Sequence, residues 1–123
     1  LQPVEIVPDV YSVCDIALIP LRKGVIGNGV PSKAPLLMAC HKVIVNSVED
    51  DSHYYRLFND NEMGISVPLG DAQGLANAIR ALAADPERCL QMADKAQAYS
   101  EKYYSASVCT RKFMDAFEEM RSR

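Results

Sequence analysis

Arg22, Lys23, Gly24, Gly27, Gly29, Val30, Pro31, Ser32 and Lys33 crowd into one short stretch, and together they suit an anion. Glycines at that density let the backbone come close to a ligand, or else they satisfy turns with positive φ. Main-chain amides left bare by such a loop, with a helix starting just after it, attract phosphate above other anions. Ser32 can donate its hydroxyl to a phosphate oxygen or cap the helix that follows; one oxygen serves both roles. Lys33 falls in the first helical turn, where the dipole mildly disfavours a cation, so an anionic partner or water must take its charge. Arg22 and Lys23 open the loop and either add positive charge to the same place or stand in solvent.

Other reactive types are read more plainly. His41 lies near a helix C-terminus, where an imidazole partners the dipole, and is not read as catalytic. Glu49-Asp50-Asp51 could take a metal or a polyol, but an acidic turn is read first as solvated. Tyr54 and Tyr55 are expected to pack with wet hydroxyls. Cys14, Cys40, Cys89 and Cys109 are irregularly spaced with no Cys-x-x-Cys pair, which leaves zinc and thioredoxin-like chemistry unsupported. They are expected to be four small free thiols in a reducing compartment.

The elements that must position the loop are legible around it. Ile16-Ala17-Leu18-Ile19 is an apolar run too short for a buried helix, and Pro20 ends it. The pattern predicts a loop over 21–31, a helix over 32–40, and a second apolar strand over 43–46. Strands apolar on both faces belong to parallel sheets covered by helices on each side. In such sheets ligands bind beyond the carboxyl ends of the strands, which is where the glycines fall. Upstream, Val4–Val7 is expected as a short first strand, followed by a two-turn helix opened by Pro8 and Asp9. Downstream, Ser52 is expected to cap a helix over 53–59, and residues 63–68 to form the last strand. Asp71 then caps an amphipathic helix with Leu75, Ala76, Ile79 and Leu82 on its apolar face. Asp85-Pro86 opens a further helix with Leu90, Met92, Ala93 and Ala96 inward, and Ser105 begins a final one carrying Val108, Phe113, Phe117 and Met120. Tyr99, Tyr103 and Tyr104 are expected to pack these tail helices. The fold class expected is α/β: a partial Rossmann-like parallel sheet of about three or four strands, flanked by helices, with a helical C-terminal tail.

The chain has 123 residues, 49% of them hydrophobic, and a net charge of −3. That is enough apolar material for a core without disulfides. The acidic balance argues against nucleic acid as a partner, whose phosphates demand a basic face. No apolar run approaches the roughly 20 residues of a membrane span, and no signal-peptide pattern is visible. A cytoplasmic location is therefore expected. The chain opens on Leu1-Gln2-Pro3, partway into an α/β unit and without methionine, and is expected to be a portion of a longer protein.

Four segments in collinear order carry a resemblance: 11–21, centred on Asp15-Ile16-Ala17-Leu18; Val30–Lys33 with 37–47; Met63-Gly64-Ile65-Ser66-Val67-Pro68 with 71–82; and Glu101-Lys102-Tyr103-Tyr104-Ser105. This pattern resembles the nucleotide-sugar glycosyltransferases of the GT-B fold (group 1, family-4-like), and specifically the later part of their C-terminal domain. The resemblance implies that residues 1–123 belong to the donor-binding domain, with an acceptor-binding N-terminal domain lying elsewhere. It implies a nucleoside-diphosphate sugar as donor substrate, transfer to an acceptor hydroxyl in polysaccharide or glycoconjugate synthesis, and no cofactor or metal. A glycan or lipid-linked acceptor would be met through the other domain, and any membrane association would belong to the full-length protein. Gly27, Gly29, Val30, Ser32 and Lys33 would bind the donor diphosphate. Asn28, Arg22 and Lys23 would lie toward the donor sugar or ribose. The spaced glutamate pair of retaining members would fall on Asn28 and Leu36, neither acidic here. The usual glycine of the later motif is His41, and its proline is Val43. Those departures remove the ribose and sugar contacts of the family pattern and leave its amide-lined phosphate shelf.

Two other classes fit the β/α alternation. One is a non-catalytic flavodoxin-like receiver, for which Glu49-Asp50-Asp51 is the one acidic cluster at a strand end. The other is a transferase domain that has lost activity and persists for assembly.

Overall fold

The computed structural model describes residues 3–26 and 29–122. Its first elements are helical: a 3-10 turn at Val4–Ile6 runs into α1 (Val7–Ser12). The strand expected at Val4–Val7 is thus absent. β-branched residues favour a strand only where a ladder partner exists, and Val4 is exposed among the described residues. Pro8, within the first turn of α1, holds a helical φ at no cost in hydrogen bonds.

From there the alternation follows the sequence pattern. β1 (Ile16–Pro20), α2 (Lys33–Ala39), β2 (Val43–Val48), α3 (His53–Asp60) and β3 (Gly64–Pro68) come in order. They are followed by α4 (Ala72–Ala84), α5 (Pro86–Tyr104) and α6 (Ala106–Arg121). The three strands form one parallel sheet in the order β1-β2-β3, with Ile16 opposite Val43 and Ile44 opposite Gly64. Every residue of β2 is buried, as a central strand covered on both faces requires. Ile44 and Val48 point to one face, packing with Met38 of α2 and Leu57 and Phe58 of α3. Val43 and Val45 point to the other, against Ala78 and Leu82 of α4 and Met92 and Ala93 of α5. Asn46 and Ser66, paired in register, are the buried polar residues of this sheet whose side chains have no hydrogen-bond partner among the described residues.

The helix starts obey local chemistry. Ser52 Oγ accepts from Tyr55 N–H at 3.1 Å, Asp71 from Gly74 at 2.7 Å, and Asp85 from Arg88 at 3.0 Å. Leu90 departs from its expected inward position and is exposed. It stands two residues from the buried Met92, and neighbours two apart on a helix face different directions. The stripe of Phe113, Phe117 and Met120 on α6 also faces solvent. Tyr99 stacks with Tyr103 at 4.4 Å and with Tyr104 at 5.9 Å between ring centres.

His41 sits in the turn between α2 and β2 at φ +59°, a conformation that favours glycine. It closes the helix through its backbone, with His41 N–H donating to Met38 O and Lys42 N–H to Leu37 O, both at 3.0 Å, while its Nε2 donates to Asp94 Oδ1 on α5 at 2.7 Å. Both His41→Ala and His41→Gly remove this bond, so their difference isolates the backbone strain. The glycine variant is expected to be about 1 kcal/mol more stable than the alanine variant in urea unfolding. Equal midpoints would mean that the turn carries no such strain.

Candidate functional site

The segment from Leu21 to Pro31 leaves the carboxyl end of β1 and is pinned at several points. Leu21 N–H donates to Ser47 O at 3.0 Å, which extends the β1–β2 ladder by one residue. Ile26 is buried and joins the core beneath the loop. Gly29 N–H donates to Ile26 O at 3.0 Å. Val30, half-buried, packs on the same cluster. Gly27 and Asn28 lie outside the described residues.

The glycines differ in what holds them. Gly24 adopts φ +78°, so turn geometry accounts for it. Gly29 has no positive φ, and a Cβ built on it would meet nothing within 4 Å. Among the described residues neither backbone strain nor packing asks for glycine there. Ser32 stands at the N-cap of α2 with φ −57° and ψ −23°, and its side chain makes no capping bond. Capping needs an extended N-cap conformation, and Ser32 is already helical. Ser32 is exposed, as is Lys33 in the turn that follows. Arg22 and Lys23 are exposed at the start of the loop.

Across from the loop, Glu49 follows the last residue of β2. Its Oε1 accepts from Gly24 N–H at 2.5 Å, so the residue is not the freely solvated turn the sequence implied. That backbone hydrogen bond, with lesser help from the charge of Lys23, holds its pKa below the ordinary 4.5. Glu49 is therefore ionised at neutral pH. Its second oxygen, Oε2, is shielded from solvent and has no partner among the described residues.

A cleft of about 560 Å³ opens between these two walls at the carboxyl ends of β1 and β2. Gly24, Ile26, Gly29 and Val30 line one side; Glu49, Asp51 and Ser52 line the other, with His53, Tyr54 and Arg56 from the first turn of α3. Tyr54 is 2% exposed, which overturns its expected wet hydroxyl: the hydroxyl is buried and unpartnered among the described residues. Burial pushes its pKa further above the phenolic range, so it stays neutral. Arg56 turns its guanidinium back to Asp51 O at 3.1 Å.

The sequence-marked residues thus divide. Gly29 and Val30 line the cleft, with Ser32 and Lys33 just past it in the chain; Arg22 and Lys23 flank it without lining it. Leu36, on α2, is half-exposed and offers no polar atom. Sequence reasoning undervalued Glu49, whose place in the cleft depends on a contact between distant segments. A second cleft, of about 440 Å³, lies at the amino ends of β1 and β2 beside Asp15, His41 and Cys89, and contains none of the residues marked for the donor. Among the described residues no group of three or more His, Cys, Asp or Glu is placed to hold a metal ion. The four cysteines are free and half-buried. No described helix is long and apolar enough to cross a membrane.

A parallel α/β sheet with a glycine-loop cleft at its carboxyl edge is the frame of a Rossmann-like domain, whose ligands bind beyond the carboxyl ends of the strands. The chain belongs to the group 1 glycosyl transferases: that family's model matches residues 1–85. It is 38% identical over 66 residues to the probable glycosyltransferase WbjE of Pseudomonas aeruginosa, a match covering 54% of this chain and 16% of that protein. Its fold superposes on sucrose-phosphate synthase from Thermosynechococcus elongatus with a TM-score of 0.74 at 21% identity, over 92% of this chain and 27% of that one. The chain therefore spans only a small part of the proteins it matches. The family sets the receiver-type alternative aside, and the superposition supports the expected Rossmann-like fold.

Proposed function

We propose that the cleft is the donor shelf of a glycosyltransferase that takes a nucleoside-diphosphate sugar. In the whole protein, the bond between the anomeric carbon and the diphosphate oxygen would break as a bond to an acceptor hydroxyl oxygen forms. The diphosphate leaves with the bonding pair, and the acceptor's proton passes to a base supplied by another part of the whole protein. The acceptor, a glycan or a lipid-linked sugar, would be held by a further domain at a cytoplasmic site. This chain's part is electrostatic: fixed amides and a cation meet the charge that builds on the leaving diphosphate.

The observation that carries the proposal is Gly29. It has no positive φ and, among the described residues, nothing within 4 Å of where a Cβ would stand, so the close approach of a ligand would give its missing side chain a use. Ser32 supports it with an uncommitted hydroxyl, and Lys33 with an exposed ammonium beside it. α2 has only seven residues, so the loop amides and the Lys33 side chain matter more than its dipole. Arg22, Lys23 and Asn28 belong to the sugar or ribose side in this proposal.

Titrating the full-length protein with UDP, GDP, ADP and inorganic phosphate tests it. One diphosphate is expected to bind and to shift the amides from Gly29 to Lys33. Lys33→Ala should weaken that nucleotide about fivefold at physiological salt, the scale of one partly screened charge-assisted bond. Failure of all three nucleotides to bind the full-length protein would remove the proposal.

A further inference from the structure

We propose that the side chain of Asn59 stands in for a fourth strand at the β3 edge of the sheet, and keeps the protein from pairing there with a second copy of itself. β3 is an outer strand of the order β1-β2-β3, and β2 is its one ladder partner among the described residues. At its centre the main chain of Ser66 turns away from β2 and meets a side chain instead. Ser66 N–H donates to Asn59 Oδ1 at 2.9 Å, and Asn59 Nδ2 donates to Ser66 O at 3.1 Å. Asn59 reaches the edge from the last turn of α3.

An unguarded edge is a row of unmet N–H and C=O groups, and a strand from another chain can satisfy them. A carboxamide is the side-chain group closest to a peptide, with donors and an acceptor in one plane. Asn59 makes with Ser66 the reciprocal pair of bonds that a residue on an antiparallel neighbour would make. Two copies brought together about a two-fold axis would set Ser66 against the partner's Ser66 in just that pairing.

The rest of the edge offers little. Main-chain groups that leave one side of a strand recur at every second residue, so Gly64 and Pro68 share the outward direction of Ser66. Pro68 has no N–H, and its oxygen accepts from Asp71 N–H at 3.2 Å. With Ser66 filled by Asn59, Gly64 is left, and one residue is too little to hold a strand. A newcomer could otherwise come close, because Asn59, Gly64 and Ile65 border a cleft of about 290 Å³ that faces Arg88, Gln91 and Lys95 of α5. One side chain therefore decides whether this edge is open.

Two substitutions test it. Asn59→Ala and Asn59→Lys both remove the pair of bonds, but lysine sets a charge on the edge, which resists pairing with a like-charged copy. Full-length wild type and both variants are compared by sedimentation over a range of concentrations, and by amide hydrogen exchange at Ser66. In dilute solution the Ser66 amide should exchange about tenfold faster in either variant, the scale of one lost hydrogen bond. Concentrating the alanine variant is expected to double its apparent mass relative to wild type and to restore protection at Ser66. The lysine variant should do neither.

Three outcomes overturn the inference. If the alanine variant keeps the wild-type mass at every concentration, the two bonds merely fasten α3 to β3. If the alanine and lysine variants associate alike, lost stability drives the association and the opened edge does not. Association that leaves the Ser66 amide unprotected would put the contact on another surface.

Discussion

Gly64→Ala is expected to destabilise the protein by about 3 kcal/mol, the upper range for forcing extra volume into a packed core. Gly64 opens β3 directly opposite Ile44 of the central strand. A Cβ there would collide with the Ile44 carbonyl oxygen, and would lie 3.2 Å from the Ile44 carbonyl carbon and 3.0 Å from Phe58 Cδ1. The ring can give way, but the carbonyl belongs to the only strand paired on both sides among the described residues. Relief must come from moving β3 away from β2. Urea unfolding measures the loss, with Gly29→Ala as the control because its Cβ meets open space. A Gly64→Ala midpoint equal to the control's would show that the strand pair tolerates the added methyl.

Phe58→Ala should cost about 3–5 kcal/mol, as full removal of a buried phenyl ring does elsewhere. Phe58 on α3 has no exposed surface and meets Tyr54 edge-on, with ring centres 5.0 Å apart and planes at 69°. It packs between α3 and the Ile44–Val48 face of β2, so the cavity left behind is enclosed by sheet and helix and cannot collapse readily. Phe58→Leu keeps most of the volume and should lose less than half as much. The same unfolding experiment separates the two. A domain whose whole stability is some 5–15 kcal/mol is brought near its threshold by the alanine change. If Phe58→Ala unfolds at the wild-type midpoint, the ring does not carry the packing assigned to it.

Much of this architecture was legible because local chemistry decides it. The apolar run ending at Pro20, the two-sided apolar strand around Ile44, and the caps at Ser52, Asp71 and Asp85 depend on residues close in sequence. Failures arose where the deciding partner is distant. Val4–Val7 has strand-forming residues, yet a strand also needs a ladder, and Pro8 offered the helix instead. Leu90 matched an apolar list but not the helical phase of Met92. The candidate site divided in the same way. Gly29, Ser32 and Lys33 declare themselves by composition, whereas Glu49 looked like one acid in a polar turn. Its bond to Gly24 crosses from the loop after β1 to the end of β2, and no local pattern encodes it. His41 carried a usable signal, since the resemblance to the family pattern puts a glycine there, and the positive φ found at His41 is one that favours glycine.

The two parallel ladders also govern how the chain reaches this state. Neither can close as a hairpin, so β1 meets β2 only after the glycine loop and α2 have been carried over the sheet, and β2 meets β3 only after α3 has crossed back. Each closure spends loop entropy before any ladder bond repays it. Folding speed is thus tied to the loop after β1: lengthening or loosening it for ligand access slows the same closure that makes the sheet. Whatever tunes that loop for binding also sets the pace at which the sheet assembles.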